Sequence, residues 1–486
     1  MVQEEPLGSP VVGEVRRFYE ENHESLERTR ASHRYFYGYL TRVLQGRIPS
    51  GQRVLEIGCG AGQLLAALAP SYGVGIDLSS RAVAAARKLH AGEHLHFFEG
   101  DGADPALLAQ TGGPFDVVLM VNVVTHLFDV QAALEAVARV CHARTRVMIY
   151  SYSRLWQPIL RLGELAGLKH APPPEAWLPA EEVASMLTLA DYEVVRHDYL
   201  IGLPLGVPLL ADLVNRYLAR LPVLEWMSLM YGIIARRAPG ATTPRPSHPS
   251  TSVVIPCRNE AGHIRPLIAR LPALGPNSEF LFVEGNSTDD TEGEIRRVIA
   301  EYPQKPLRLL KQTGTGKGDA VRLGFSHARG EVLAILDSDM GVAPEDLPKF
   351  VQALVRGHGE MINGSRMVYP MEGRAMRFLN LLANKFFAYL FSWLLGQQVR
   401  DTLCGTKVLY REDYERLAAN RAFFGDFDPF GDFDLLFGAS RLNLRIIDLA
   451  VRYHERRYGT TNISRFRHGW LLLRMSLFAG RKLKFL

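Results

Sequence analysis

Residues 53–63 read RVLEIGCGAGQ: an aliphatic run, Val54, Leu55 and Ile57, closing on three glycines at alternate positions. A short apolar run bounded by glycine reads as a strand buried on both faces. Gly58, Gly60 and Gly62 then occupy the strand-to-helix turn, where a missing Cβ lets the backbone approach a ligand. Further on, YGVGID places Asp77 at the end of the next strand. That is about 20 residues beyond such a turn, where a carboxylate can accept both hydroxyls of a ribose. LHFFEG, FDVVLMV, RVMIYSY, YEVVRHDYL and MYGIIARR continue as strands, alternating with helical stretches such as SRAVAAARKLH and VQAALEAVARVC. This alternation predicts an α/β fold with a doubly wound parallel sheet.

The stretch RRAPGATTPRPSHPS, residues 236–250, is rich in Pro, Ser and Thr and marks a linker over 237–250 between domains 1–236 and 251–486. Beyond it SVVIPC, FLFVEG, LRLLKQ and VLAILDSD alternate with the helical AGHIRPLIARL and TEGEIRRVIAEY, predicting a second open α/β sheet. With 486 residues, 47% hydrophobic and 22% charged, the chain has the composition of a globular protein. Four widely spaced cysteines without a CxxC pair argue for a reducing compartment and against a zinc site, and the acidic start lacks a secretory signal. The expected location is therefore cytoplasmic. The net charge of +5 is uneven, because residues 452–486 hold nine Lys or Arg against a single Glu. Such a basic tail suits a solvated helix, a phosphate group or an anionic lipid surface.

Two acidic features accompany the first glycine turn. Glu56 precedes it, and FFEGDGAD ends a third strand with Asp101 available to an adenine amino group. Through VLEIGCGAGQ, GIDLS, GDGAD and FDVVLMVNVVTHL, residues 50–150 resemble class I S-adenosylmethionine-dependent methyltransferases, a Rossmann-like fold. The resemblance implies that Glu56, Gly58, Gly60, Gly62, Asp77 and Asp101 hold the cofactor, with Asn122 and His126 near the methyl-transfer opening. His126 is the candidate base, needed only where the acceptor is not already nucleophilic. A nicotinamide-binding Rossmann domain remains the alternative on the glycines alone.

In the second half, Pro256, Asn259 and Glu260 end one strand, Glu284 ends the next and Asp337 and Asp339 end a fourth, so three strand ends face one crevice. An Asp-x-Asp at a strand terminus can contact a ribose with one carboxylate and a divalent cation with the other. Lys317, among Gly314, Gly316 and Gly318, can reach phosphate, although the GxxxxGK[ST] order of a P-loop is absent. PCRNE, NSTDDT, GKGDAVRLG, LDSDM, NGSR, DTLCGTKVLYRED and ERRYGTTN resemble family 2 glycosyltransferases of the GT-A fold over 251–465, and more narrowly the dolichol-phosphate and polyprenyl-phosphate sugar synthases.

That resemblance makes Asp337 and Asp339 the motif for Mg²⁺ or Mn²⁺. It places Arg366 and Arg456 on phosphate-bearing groups, adds Arg377 as a looser candidate, and gives Asp432 or Asp434 the position of a general base. A sugar hydroxyl needs such a base and a phosphate acceptor does not. Two departures stand out: Glu284-Gly285 replaces the usual double Asp, and the closing motif with Gln and Arg-Trp is missing.

The expectation is a bifunctional enzyme. It would transfer a sugar with inversion from a UDP- or GDP-sugar to a polyprenyl-phosphate or glycan acceptor, and methylate with S-adenosylmethionine. The rivals are a glycosyltransferase for a small soluble acceptor such as a glycerate, and a scaffold with a silent methyltransferase-like domain. No nucleic-acid partner is expected. Phe386–Gly396 is too short to span a bilayer; the run Met376–Leu395 reads as a core helix, with peripheral contact at the inner membrane surface as the alternative.

Overall fold

The computed structural model describes residues 10–90, 92, 94–165, 175–240, 246–369, 378–423, 431–454, 458 and 465–485. The chain divides into two compact units, residues 1–243 with 485–486, and residues 244–484.

The first unit holds seven strands: β1 (Arg53–Ile57), β2 (Tyr72–Asp77), β3 (Leu95–Glu99), β4 (Phe115–Val121), β5 (Cys141–Tyr152), β6 (Tyr192–Leu200) and β7 (Met230–Arg237). They lie in the order β3-β2-β1-β4-β5-β7-β6. Strands β1 to β5 are parallel, and β7 runs antiparallel to both β5 and β6. Alternate residues face opposite ways along each strand. Leu55, Val118 and Ile149 accordingly enter one buried cluster, and Val54, Val117 and Met148 the other. Strand β5 begins five residues earlier than its apolar run suggests. Thr145 Oγ accepts from the His142 N–H and donates to the Phe115 carbonyl, which sustains the pairing across a bulge.

The second unit holds β8 (Thr251–Cys257), β9 (Glu279–Glu284), β10 (Leu307–Lys311), β11 (Val332–Ile335), β12 (Met361–Ser365), β13 (Lys407–Tyr410) and β14 (Ile446–Ala450), in the order β10-β9-β8-β11-β13-β12-β14. The first four are parallel, and β13 is antiparallel to both its neighbours. Strand β12, MINGS, is wholly buried although Asn-Gly-Ser reads as a turn. Asn363 satisfies its side-chain N–H groups there by donating to the Asp401 carbonyl and the Asp448 carboxylate.

The helix Phe378–Leu395 differs from the core helix expected. Phe391, Leu394 and Leu395 are buried, but Leu382, Phe386 and Tyr389, spaced at helical period, are more than half exposed. No helix among the described residues is long and apolar enough to cross a membrane. The four cysteines form no disulfide.

Candidate functional sites

In the first unit the glycine turn and Asp77 are tied together by the backbone. The Asp77 carboxylate accepts from the Gly60 N–H at 2.8 Å and from the Ser79 N–H at 3.0 Å. Gly58 and Gly62, with φ of 73° and 77°, occupy the left-handed region that side chains avoid. Burial raises the Asp77 carboxyl above its ordinary range, against the pull of those two N–H groups. Glu56 is more extreme. It is 3% exposed, burial pushes its pKa up to about 8, and its Oε2 has no hydrogen-bond partner among the described residues.

At the end of β4, Asn122 adopts φ 54°, and its buried Oδ1 is also unpartnered among the described residues. Two buried acceptors at neighbouring strand ends, one a carboxyl, suit a cationic ligand with N–H donors. S-adenosylmethionine is such a ligand. Asp101 instead holds its own turn, accepting from the Ala103 N–H at 2.8 Å. His126 Nε2 meets the Tyr19 hydroxyl at 3.0 Å and Glu175 at 3.6 Å.

Tyr19 belongs to an element outside the sequence reading above, the helix Pro10–Ser32. Its Glu20 accepts from the Ser79 and Ser80 hydroxyls, its Glu27 accepts from Gln63, and its Arg16 pairs with Glu99. The helix thus roofs the carboxyl ends of β1, β2 and β3. Its signal in the sequence is a polar stripe, Glu20, His23, Glu27 and Arg30, at helical spacing.

In the second unit Asp337 lies just past β11, with 37% of its side chain exposed, and Lys317 opens the helix Lys317–His327. Lys317 Nζ stands 2.6 Å from Asp337 and 3.9 Å from Asp432. Lys407, fully buried, holds the other Asp432 oxygen at 3.0 Å and donates to the Cys404 carbonyl. Burial opposes ionisation of Asp337, but the charges of Lys317, Arg366 and Lys407 keep its carboxyl below the ordinary range. For Lys317 burial works against the charge, and Asp337 and Asp432 outweigh it and raise the ammonium pKa. A Cβ on Gly405 would fall on both Asp337 and Lys317, so that loop approaches as closely as glycine allows.

Asp339 accepts from the Gly341 N–H at 3.0 Å. It lies close enough to Tyr453 to help raise that phenol, whose shift comes mainly from burial. Arg366 grips Asp401 with two parallel bonds of 2.8 and 3.0 Å and stacks 4.9 Å from the Tyr453 ring.

The structure therefore gathers Lys317, Asp337, Asp339, Asp432 and Arg366, and adds Lys407, Asp401 and Tyr453, which sequence reasoning had not singled out. Asp401 and Lys407 lie in DTLCGTKVLYRED, and their signal was a charged residue on each side of a buried glycine loop. Asp434 points elsewhere and pairs with Arg421 at 2.9 Å.

Glu260 is committed to a buried pair with His263 at 2.7 Å. Asn259 and Glu284 fix the loop after β9 through Ser287 and Thr288, and the Pro256 carbonyl accepts from Ser338 at 3.0 Å. Arg377 and Arg456 lie outside the described residues. Among the described residues no cluster of three or more His, Cys, Asp or Glu is placed to hold a metal. The carboxylates of Asp337 and Asp339 are hard oxygen donors of the kind that would suit Mg²⁺ or Mn²⁺, with a diphosphate and water needed to complete a shell.

Comparison with known proteins bears on both units. The methyltransferase domain family matches residues 55–147, and glycosyl transferase family 2 matches residues 252–417. The dolichol-phosphate mannosyltransferase of Pyrococcus furiosus is 35% identical over 173 residues, covering 35% of this chain and 48% of that protein. The undecaprenyl-phosphate 4-deoxy-4-formamido-L-arabinose transferase of Edwardsiella ictaluri is 30% identical over 215 residues, covering 43% of this chain and 61% of that protein. The chain thus spans about half to three fifths of these relatives' length. A solved SAM-dependent methyltransferase of Thermotoga maritima aligns with 46% of this chain and 99% of its own, at 17% identity and a TM-score of 0.36. One polypeptide therefore carries a match to the methyltransferase domain family over residues 55–147 and a match to glycosyl transferase family 2 over residues 252–417.

Proposed function

We propose that the second unit transfers a sugar, with inversion and with the help of Mg²⁺ or Mn²⁺, from a nucleoside diphosphate sugar to a lipid-linked phosphate. The first unit then methylates a product of the same route using S-adenosylmethionine. The observation that carries this reading is the Lys317, Asp337 and Asp432 cluster at the end of β11. Around it three cations, Lys317, Lys407 and Arg366, face four carboxylates, Asp337, Asp339, Asp401 and Asp432. Such a balance repels a bare diphosphate, and one divalent cation on Asp337 and Asp339 reverses its sign. The metal supplies the charge that lets the diphosphate leave. With Asp337 engaged by such a cation, Lys317 would be available to the phosphates.

Asp432 bears on the acceptor. Its two oxygens are already engaged, one by the buried Lys407 ammonium at 3.0 Å and the other facing Lys317 at 3.9 Å, so the carboxylate is tied up in ion pairs and not turned to an acceptor hydroxyl. A phosphate arrives already anionic and needs no base. The relatives named for dolichol-phosphate and undecaprenyl-phosphate point the same way. The exposed stripe Leu382, Phe386 and Tyr389 supports peripheral contact with the membrane that carries such a lipid, at its cytoplasmic face.

Calorimetry of UDP and GDP, with and without Mn²⁺, on the intact chain and on Asp339→Asn tests the donor site. Metal-dependent binding of one nucleotide, lost in the variant, is expected. No binding of either nucleotide to folded protein would remove the proposal.

A further inference from the structure

The first unit carries a surface that its fold leaves unexplained. From Leu205 to Met227, between β6 and β7, sixteen residues are exposed, and only Asp212 and Arg216 among them are charged. A water-facing surface is ordinarily about 25–35% charged. The exposure is deep: Leu209 is 89% exposed, Val223 75% and Trp226 57%.

A second segment adjoins it. The helix Gln157–Leu165, after β5, buries none of its residues, and Leu155, Ile159 and Leu162 form an exposed stripe at helical spacing. Trp156 joins the two segments by donating its indole N–H to the Met227 carbonyl at 2.8 Å. Both follow the carboxyl ends of their strands, because β5 and β6 each run antiparallel to β7. They therefore rise from the same edge of the sheet as the glycine turn and Asp77.

The chemistry of this surface selects its occupant. A protein partner would need about one hydrogen bond per 100–200 Å². Within residues 205–227, beyond Asp212 and Arg216, only Tyr217 and Trp226 among the exposed side chains carry an oxygen or nitrogen, and Asp212 already accepts from Tyr35. The apolar boundary of a bilayer asks for no such partners, and Trp and Tyr concentrate at its edge. Three arginines in or beside the two segments, Arg154, Arg161 and Arg216, are exposed, which complements anionic headgroups.

We propose that the methyltransferase unit seats on an anionic lipid surface through residues 155–165 and 205–227, presenting its cofactor edge to a methyl acceptor held in that surface. The docking stands on this unit alone. Its lipid-linked methyl acceptor rests on the methyltransferase reading given above.

Flotation of the intact chain with vesicles of phosphatidylcholine and phosphatidylglycerol tests it. The wild type floats, and floats less with phosphatidylcholine alone. Leu209→Asp combined with Val223→Asp and Trp226→Asp lowers the bound fraction at least tenfold, while metal-dependent nucleotide binding is unchanged. Leu209→Asp alone, at the most exposed position, gives a smaller loss and guards against misfolding of the triple variant. Flotation equal to wild type in both variants overturns the proposal, as does a wild type that stays in solution. Self-association of the wild type, abolished by the substitutions while flotation persists, overturns it in favour of a second copy of the chain. Loss of nucleotide binding in Asp339→Asn does not bear on this result, so the two proposals fail separately.

Discussion

Near the end of β11 the acids are met from within the protein, half-buried Asp337 by Lys317 and the buried Asp432 and Asp401 by Lys407 and Arg366. At the end of β1, Glu56 is buried with one oxygen that no described residue meets. Two α/β sheets with similar strand order at their core thus prepare for ligands of opposite charge. On the proposed reading, the second unit's site meets most of its acids with its own cations and would admit a diphosphate only together with a metal. On the same reading, the first unit's site keeps a buried carboxyl whose raised pKa leaves it ready to ionise beside a cation.

The comparison is broken most sharply at the metal motif. Asp339→Asn is expected to lower metal-dependent sugar transfer about a thousandfold. A bound cation contributes several kcal/mol to the charged transition state, and each ~1.4 kcal/mol is a factor of ten. Transfer rates at saturating Mn²⁺ would show it, and unchanged rates would move the metal elsewhere.

A stability measurement separates the two neighbouring acids of the helix Asp432–Arg441. Asp432→Asn leaves the fully buried Lys407 ammonium uncompensated and is expected to cost about 3–5 kcal/mol. Asp434→Asn breaks a pair with partly exposed Arg421 and is expected to cost under about 1 kcal/mol. Urea unfolding followed by fluorescence would rank them, and equal losses would show that Asp432 is no more embedded than its neighbour.

The smallest effect is the most specific to the first unit. The folded-state pKa of Glu56, about 8, lies above its ordinary 4.5. Its contribution to stability is therefore greatest below pH 4.5 and is lost progressively as pH rises to about 8. A cationic cofactor that needs the carboxylate binds more tightly over the same rise, by up to about tenfold per pH unit below 8. Calorimetry of S-adenosylmethionine between pH 6 and 8 is expected to show this slope, and Glu56→Gln to flatten it. A slope that survives the substitution would assign the proton to another group.

Much of the fold was legible in the sequence, for identifiable reasons. Strands β1 to β11 announce themselves because most are apolar or β-branched runs between glycines, acids or helical stretches. Strands β12 to β14 do not. MINGS is polar on its face, and only Asp448 and the Asp401 carbonyl make Asn363 at home in a buried strand. Whether Asp432 or Asp434 served the site could not be read from FGDFDLLF, since two residues on a helix diverge by about 200° and only the docking of that helix selects one. The helix Phe378–Leu395 is apolar nearly all round, so its composition carried no sign of which stripe the core would take.

The roof over the cofactor edge has a consequence for how the chain is made. Helix Pro10–Ser32 precedes every strand, yet its partners arrive late, Glu99 83 residues after Arg16 and His126 107 residues after Tyr19. At translation rates of about 5–20 residues per second it waits several seconds or longer beside the ribosome. With a polar stripe and little apolar surface of its own, it has small power to fold alone. A helix made before the strands it covers is therefore among the last parts of its unit to be seated, and the growing chain holds that strand edge open to solvent until the third and fourth strands are in place.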